Sequence, residues 1–403
     1  MRASNSDVRA ALRALPIELP SWGFGNAGTR FGVFAEPGAA RDVYEKIEDA
    51  GTVHRLTGAS PTVALHIPWD LPPAGTDWQS IAEFARGEGV ALGAINPNLF
   101  QARDYMLGSC CHPDADVREK AEAHLRECAE IAGVVGSPYV SLWLADGTNY
   151  PGQDDLRDRR KRLKQTLSAG YAALPAGVEM LIEYKFFEPS FYTTDLPDWG
   201  TAFVACQHLG PQAKVLVDTG HHAQGTNIEH IVALLLDEGR LGGFHFNDRK
   251  YADDDLIVGT TNPYELFLIF YQIVDALADG DPAIRRTAEG IAYMIDQSHN
   301  IEPKIEAMVL SVLNVQTAYA KALLVDRDAL HERQREKDVL GAHAVLRDAY
   351  ETDVRPLLAA AREESGCPAD PLAALKEDKI VSERRRARQT TPARAGGGGL
   401  GTS

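Results

Sequence analysis

The sequence predicts an α/β fold, a (β/α)8 TIM barrel with a C-terminal helical extension. Eight short apolar runs alternate with longer helical patterns along the first three quarters of the chain. Runs such as TVALHIP and KVLVD are apolar at nearly every position, which is typical of parallel strands covered on both faces. An open doubly wound sheet is the structural alternative, although no GxGxxG motif follows an early strand to indicate a dinucleotide-binding fold.

The predicted strands lie near residues 20–25, 62–68, 91–96, 138–144, 180–185, 214–218, 242–247 and 291–296. The helical patterns between them lie near residues 41–51, 78–88, 116–134, 155–173, 198–208, 228–238 and 263–279. The first strand departs most from the pattern, because Pro16 and Pro20 crowd its start and Gly23 and Gly25 interrupt it.

Three regions are predicted along the chain. Residues 1–300 form the barrel that carries the functional site, and residues 301–381 form the helical extension, with helices near 303–326, 328–347 and 349–364. The last region, 382–403, is rich in arginine and then in glycine, and this composition predicts a disordered tail.

Composition narrows the class of function. The net charge is -16, and the dense basic run RRRAR at 384–388 lies in the tail, so neither nucleic acid nor an anionic membrane is an expected partner. The five cysteines form no CxxC motif, which favours reduced thiols and a cytoplasmic location. We also find no apolar run typical of a signal peptide over residues 1–19, nor one long enough to span a membrane.

Polar groups gather where the later predicted strands end, which is the end at which barrel enzymes carry their sites. In the fifth strand, Glu183 and Lys185 are two residues apart and therefore point to the same side, into the barrel mouth. Burying a carboxylate and an ammonium there is costly unless each has a partner. The pair is therefore a candidate for chemistry.

The next three strands each add carboxylates or imidazoles to the same rim. The candidate metal ligands over strands five to eight are Glu183, Asp218, His221, His245, Asp253, Asp255 and Asp296. Oxygen-rich ligation with one or two imidazoles suits Mn²⁺, Mg²⁺ or Co²⁺, and about seven ligands exceed what one ion needs, which indicates two ions.

Each ligand also has a simpler interpretation. A strand-end aspartate such as Asp218 is more often a helix cap than a ligand. The Asp253–Asp255 run is typical of a solvated loop, and His245 between two phenylalanines could be a core histidine. Because four successive strand ends carry such groups, we favour metal binding.

The second strand ends in His66-Ile67-Pro68-Trp69-Asp70. His66 could exchange a proton with a sugar ring oxygen, because imidazole titrates near neutrality. Trp69 and Trp143 could offer flat apolar faces to a sugar, or they could simply fill the core. Further weak candidates for hydrogen bonds to hydroxyl groups are Asn96, Asn98 and Gln101, while we interpret His222 as structural.

These motifs together resemble the bacterial L-rhamnose isomerases, most closely the subgroup with broad aldose tolerance. The resemblance covers roughly residues 20–330 and is carried by HIPWD at 66–70, IEYK at 182–185, VDTGHH at 217–222, FHFND at 244–248, DDD at 253–255 and MID at 294–296. Xylose isomerase is a more distant relative, which shares the ExK pair on strand five and a D-x-D pair after strand seven. It has a carboxylate where this chain has His245 and a glutamate where this chain has Asp218.

The resemblance implies two divalent ions, with Mn²⁺ expected ahead of Co²⁺, Mg²⁺ and Zn²⁺. It implies a structural ion held by Glu183, Asp218, His245 and Asp296, and a catalytic ion held by Asp218, His221, Asp253 and Asp255. Catalytic roles would fall to His66 at the sugar ring, Lys185 near O1, and Asp296. Trp69 and Trp143 would join His66 and Lys185 in binding the substrate, and the protein would be a homotetramer.

The reaction implied is the conversion of L-rhamnose to L-rhamnulose by a metal-assisted hydride shift, with proton transfer through an enediol as the alternative. The substrate could also be another aldose, such as D-xylose, D-allose or L-mannose. A sugar epimerase, a metal-dependent endonuclease of the same barrel superfamily and a non-catalytic sugar-binding barrel are the competing hypotheses. Acidity disfavours the nuclease, and Lys185 favours a carbonyl substrate.

Overall fold

A computed structural model describes residues 3–26, 28–29, 32–33, 35–187, 192–251, 253–298 and 301–390. The predicted (β/α)8 barrel is confirmed: eight parallel strands, numbered β1 to β8 here, pair in sequence order. Their bounds are β1 Leu19–Pro20, β2 Thr62–Ile67, β3 Ala91–Pro97, β4 Tyr139–Trp143, β5 Glu179–Glu183, β6 Ala213–Asp218, β7 Leu241–Phe246 and β8 Ala292–Ile295.

The barrel closes through a single bridge between its first and last strands. Glu18, just before β1, donates its backbone N–H to the Tyr293 carbonyl at 2.8 Å, and its own carbonyl accepts the Ile295 N–H at 3.0 Å. The prediction of a first strand over 20–25 is wrong beyond Pro20, because Ser21–Phe24 is a 3-10 helix. Pro20 has no N–H to donate to a ladder, which agrees with the early end of this strand.

Helices cover the outside of the barrel, and most begin at an acidic or amide side chain that caps the first turn. Asp42, Asp77 and Asn227, for example, each accept the backbone N–H three residues ahead. The sequence analysis did not predict α1 and α9. The bounds are α1 Asn5–Ala14, α2 Val43–Thr57, α3 Trp78–Gly87, α4 Ala115–Val135, α5 Leu156–Ala172, α6 Trp199–Leu209, α7 Ile228–Asp237, α8 Pro263–Leu277, α9 Pro282–Glu289 and α10 Lys304–Leu323.

The C-terminal extension is more segmented than predicted. Its helices are α11 Arg327–Arg335, α12 Val339–Glu351, α13 Arg355–Glu364, α14 Pro371–Glu377 and α15 Lys379–Thr390. The single helix predicted near 328–347 is divided at Lys337, which has a left-handed φ of 60°, and Asp338 then caps α12. None of the described helices could cross a membrane alone, and α10 with α11, bent by 61°, is the one pair that reaches the necessary length and composition.

The prediction of disorder from residue 382 is wrong for residues 382–390, which belong to α15. The arginine run is ordered because it has acidic partners on α2: Arg388 donates to both carboxylate oxygens of Asp49 at 2.7 and 2.8 Å, and its side chain is 3% exposed. Arg385 likewise pairs with Glu306 of α10 at 2.6 Å. The glycine-rich remainder, 391–403, lies outside the described residues.

Candidate active site and metal centre

A cavity of about 230 Å³ opens at the carboxyl ends of the barrel strands. One side is lined by carboxylates, imidazoles and an ammonium, and the other by aromatic rings. The predicted site residues that line it are His66, Trp69, Trp143, Glu183, Lys185, His221, His245, Asp253, Asp255 and Asp296. Asp218, the remaining predicted ligand, is fully buried next to this group at the end of β6.

Four of the predicted ligands form a tight cluster. Glu183, Asp218, His245 and Asp296 each bring one ligand atom within 4.8 Å of the others. Strand register produces this arrangement, since Asp218 pairs directly with His245 across β6 and β7. Asp218 is fixed by its neighbours, accepting the Gly220 N–H at 2.6 Å and the Asn247 side-chain amide at 2.9 Å.

A second group of predicted ligands lies beside the first. His221 Nε2 is 2.8 Å from Asp253 Oδ1, and its Nδ1 is 3.1 Å from Glu183 Oε1, so this imidazole joins the two groups. Asp253 also forms an ion pair with Lys185. Asp253 and Asp255 have left-handed φ angles of 51° and 47°, and both line the cavity, so their loop is not simply solvated.

The electrostatics of the cluster reflect crowded carboxylates. Burial raises the pKa of Asp218 to about 7, assisted by the charges of Glu183 and Asp296. Burial also opposes ionisation of Glu183, but His245 and His221 outweigh it and bring the pKa of Glu183 down to about 2. Both histidines have their pKa raised well above the usual value, because the nearby carboxylates outweigh burial.

The polar atoms of this cluster fit a cation. His245 Nδ1 lies 3.1 Å from Glu183 Oε2 and 3.3 Å from Asp296 Oδ2. Even so, neither this nitrogen nor Glu183 Oε1 makes a hydrogen bond of regular geometry within the described part of the chain. Buried polar atoms without such partners are rare and need an explanation. Three carboxylates and an imidazole form a donor set suited to Mn²⁺, Co²⁺ or Mg²⁺.

Aromatic rings form the opposite wall. Trp69 stacks on His66 with ring centroids 3.8 Å apart, and Trp143 meets Phe100 at 4.7 Å. The sequence analysis missed Phe100 and also Trp22, whose indole Nε1 donates to Asp296 Oδ1 at 2.8 Å. Phe100 follows the end of β3, a position that could have indicated it, whereas Trp22 fell inside the predicted first strand.

The weaker candidates take different places. Asn96 lines the cavity, but Asn98 and Gln101 serve the wall itself: Gln101 Oε1 accepts the Trp69 indole N–H at 2.7 Å and the Asn98 amide at 2.8 Å. His222 Nε2 is 2.6 Å from the Tyr184 hydroxyl, buried behind the site.

Comparison with known proteins identifies a family model and several relatives that match this chain. Residues 57–267 match the family described as xylose isomerase-like TIM barrel. A probable sugar isomerase of Rhizobium meliloti (strain 1021) is 44% identical over 399 residues, covering 97% of this chain and 90% of the relative. A probable sugar isomerase of Mesorhizobium japonicum is also 44% identical, with the same coverage. A xylose isomerase of Bacteroides thetaiotaomicron is 26% identical over 193 residues, covering 46% of this chain and 44% of the relative.

Solved structures agree on the fold. A D-psicose 3-epimerase studied in the presence of D-fructose superposes with a TM-score of 0.51 at 13% identity, covering 76% of this chain and 97% of that one. The D-psicose 3-epimerase of Clostridium cellulolyticum H10 gives a TM-score of 0.50 at 14% identity, covering 77% and 99%. The sequence matches show that the chain belongs to the xylose isomerase-like TIM-barrel family.

Proposed function

We propose that this protein is a divalent-metal-dependent aldose–ketose isomerase that interconverts L-rhamnose and L-rhamnulose and tolerates other aldoses. The observation that carries the proposal is the meeting, in one cavity, of ligands from four successive strands with Lys185 and an aromatic wall. The two relatives that are 44% identical, both named probable sugar isomerases, support the class of reaction.

The ligands divide between two ions, for which we expect Mn²⁺ ahead of Co²⁺, Mg²⁺ and Zn²⁺. Glu183, Asp218, His245 and Asp296 would hold one ion, and Asp218 would share the second with His221, Asp253 and Asp255. When bound, the ions would supply Lewis acidity toward the sugar oxygens and lower the pKa of a sugar hydroxyl. The tight four-residue cluster supports the first assignment more directly than the second.

Lys185 would act on the carbonyl oxygen. Its ammonium pairs with Asp253 and lies 5.0 Å from the centroid of the Trp143 ring, at the boundary between the polar and aromatic walls. A fixed ammonium in a buried site stabilises negative charge that develops on O1. In the hydride shift, hydrogen moves from C2 to C1 while the O2 proton is lost and O1 gains one. Asp296, held by Trp22, would act beside the substrate as well as binding metal.

The opposite wall would bind the sugar body. Trp69 and Trp143 offer apolar faces to C–H groups and a methyl, and His66 lies between the rings near the expected sugar ring oxygen. Within the described residues, Lys185 is the one lysine or arginine lining the cavity, and Asp253 already neutralises it. This charge balance favours a neutral sugar over a sugar phosphate. We also propose that the protein is cytoplasmic and that it forms a homotetramer. Light scattering after size exclusion would test the oligomeric state.

An isomerase assay tests the proposal. The protein is stripped with EDTA, reloaded with Mn²⁺ and given L-rhamnose beside L-mannose, D-allose and D-xylose, with ketose formation as the readout. Manganese-dependent L-rhamnulose formation, fastest among the sugars, is the expected result. A faster reaction with another aldose would retain the chemistry and change the substrate. No ketose from any aldose, with Mn²⁺ demonstrably bound, would overturn isomerisation, and a following test with ketoses would then examine the epimerase alternative.

A further inference from the structure

A buried ion pair lies beneath the aromatic wall of the cavity. Lys46 Nζ, from α2, is 2.5 Å from Asp70 Oδ1, and the two side chains are 1% and 0% exposed. Removing two charges from water is costly, and their attraction offsets this cost only when further hydrogen bonds complete the arrangement. The pair plays no part in the metal cluster, so its position needs an explanation of its own.

The second oxygen of Asp70 connects the pair to the cavity. Asp70 Oδ2 accepts the hydroxyl of Ser21 at 2.5 Å and the backbone N–H of His66 at 2.7 Å. Ser21 immediately precedes Trp22, so one carboxylate holds α2, the segment after β1 and the end of β2 together. Two side chains that face the cavity, those of Trp22 and His66, therefore start from backbone fixed by this carboxylate.

The His66 ring itself is held by packing rather than by charge. It stacks on Trp69, and the edge of Trp22 meets it with centroids 5.6 Å apart. Its Nδ1 is buried and has no hydrogen-bond partner among the described residues. Asp70, four residues later, binds the backbone of His66 instead of this nitrogen, because its carboxylate is already committed to Lys46 and Ser21.

Burial and a nearby positive charge favour the neutral form of the imidazole. Burial, followed by the positive charge of Lys46, holds the pKa of His66 well below its usual value. The titratable groups whose charges act on the pKa of His66 lie on α2, α4, β5 and β7, and these are Lys46, His124, Glu183 and His245.

We propose that Lys46 is a positioning residue for the ring form of the substrate: through Asp70 it fixes Trp22 and an uncharged His66 against the pyranose ring. This inference rests on the proposed isomerase function. In ring opening, O1 loses its proton, the C1–O5 bond breaks as the C1–O1 double bond forms, and O5 gains a proton. An uncharged imidazole can accept the first proton and return it to O5, so no net charge changes.

Lys46→Met tests the proposal with two substrates. L-Rhamnose must open its ring, whereas glyceraldehyde has too few carbons to close one. We expect Lys46→Met to lower kcat/KM for L-rhamnose at least tenfold and to change the value for glyceraldehyde less than twofold. Arg388→Met is the matched control, because it also breaks a buried ion pair on α2 but at Asp49, which does not touch His66. Equal losses on both substrates would overturn the proposal.

A binding measurement tests it without turnover. Quenching of tryptophan fluorescence by L-rhamnose, followed in metal-free protein, reports occupation of the aromatic wall. Asp218 has a pKa of about 7 beside the same cavity, so the wild-type pH profile is the baseline. Relative to this baseline, the affinity of Lys46→Met is expected to show a further change around the usual histidine pKa of about 6.5, since unpaired Asp70 would let His66 take a proton. Lys46→Met/Asp70→Asn removes both charges and is expected to restore the wild-type profile. If Lys46→Met fails to fold, Lys46→Gln, which also removes the charge, is measured in its place.

A profile of the Lys46 single variant that matches that of the wild type would overturn the proposal, even if the activities of the two proteins differ. If the wild type converts no glyceraldehyde, the kinetic comparison cannot be made, and the pH dependence of L-rhamnose binding alone tests the proposal. Failure of the proposed function looks different, because the wild type would then form no ketose from any aldose, whatever the variants do.

Discussion

Removing one hydrogen-bond donor should weaken the metal site without disturbing the cavity wall. Trp22→Phe keeps an aromatic ring against His66 but deletes the indole N–H that Asp296 Oδ1 accepts at 2.8 Å. A hydrogen bond to a charged group contributes about 1.5–3 kcal/mol. Partners that orient metal ligands typically change metal affinity about 10–100-fold, which corresponds to about 1.4–2.7 kcal/mol. We therefore expect the Kd for Mn²⁺ to rise about 10–100-fold, measured by competition with a chelator of known affinity.

Trp69→Phe provides a matched control in the same cavity. It also deletes an indole N–H, but that group donates to Gln101 Oε1 at 2.7 Å, away from the metal ligands. We expect its Mn²⁺ affinity to stay within about twofold of the wild type and its KM for the sugar to rise. Wild-type Mn²⁺ affinity in Trp22→Phe, or an equal loss in both variants, would refute the reasoning that the Trp22 N–H orients a metal ligand.

Three further variants test other parts of the molecule. Glu183→Gln, which alters a carboxylate between two imidazoles, should lose Mn²⁺ binding in calorimetry and all turnover, and wild-type turnover at limiting Mn²⁺ would remove Glu183 from the ligand set. Lys185→Met should bind Mn²⁺ normally but lose about 100–1000-fold in kcat, the typical effect of deleting a donor to a developing oxyanion, and unchanged kcat would exclude Lys185 from the chemistry. Arg388→Met leaves buried Asp49 without its partner, at a cost of about 3–5 kcal/mol, so Tm should fall by about 5 °C in calorimetry while kcat stays unchanged. A Tm within 1 °C of the wild type would contradict the inference that the ion pair between Arg388 and Asp49 stabilises the fold.

The barrel could be predicted because its strands are marked individually. Continuous apolar runs such as those of β2 and β6 need no knowledge of neighbouring elements, and the confirmed strand order follows the chain. The first strand could not be bounded in this way. Its two residues are too short for a period, and the adjacent Ser21–Phe24 turn depends on contacts such as the one between Ser21 and Asp70.

The polar side of the cavity was also accessible from sequence, because the fold brings the ends of successive strands to one rim. The roles of those residues as ligands and catalysts remain our proposal. Trp22 was missed because only tertiary structure places it beside Asp296. Lys46 and Asp70 were missed for a similar reason: a lysine on a helix looks solvent-exposed until its partner, 24 residues away, is known to be buried with it.

The arginine run shows how composition alone can mislead. Read by itself, RRRAR followed by glycines resembles a solvated tail. The acidic residues that order it lie on α2, and Arg388 and Asp49 are 339 positions apart in the chain. No local pattern can reveal a pairing at that distance.

The separation of Arg388 and Asp49 along the chain also determines when their ion pair can form during translation. The segment carrying α2 leaves the ribosome early, but the arginine that neutralises Asp49 is made only after the whole barrel and almost all of the extension. Until then, Asp49 lacks the arginine that pairs with it in the folded protein, on the same helix that supplies Lys46 to the ion pair beneath the aromatic wall. The ion pair that joins α15 to α2 can therefore form only after translation has passed residue 388, although α2 itself is among the first helices to be made.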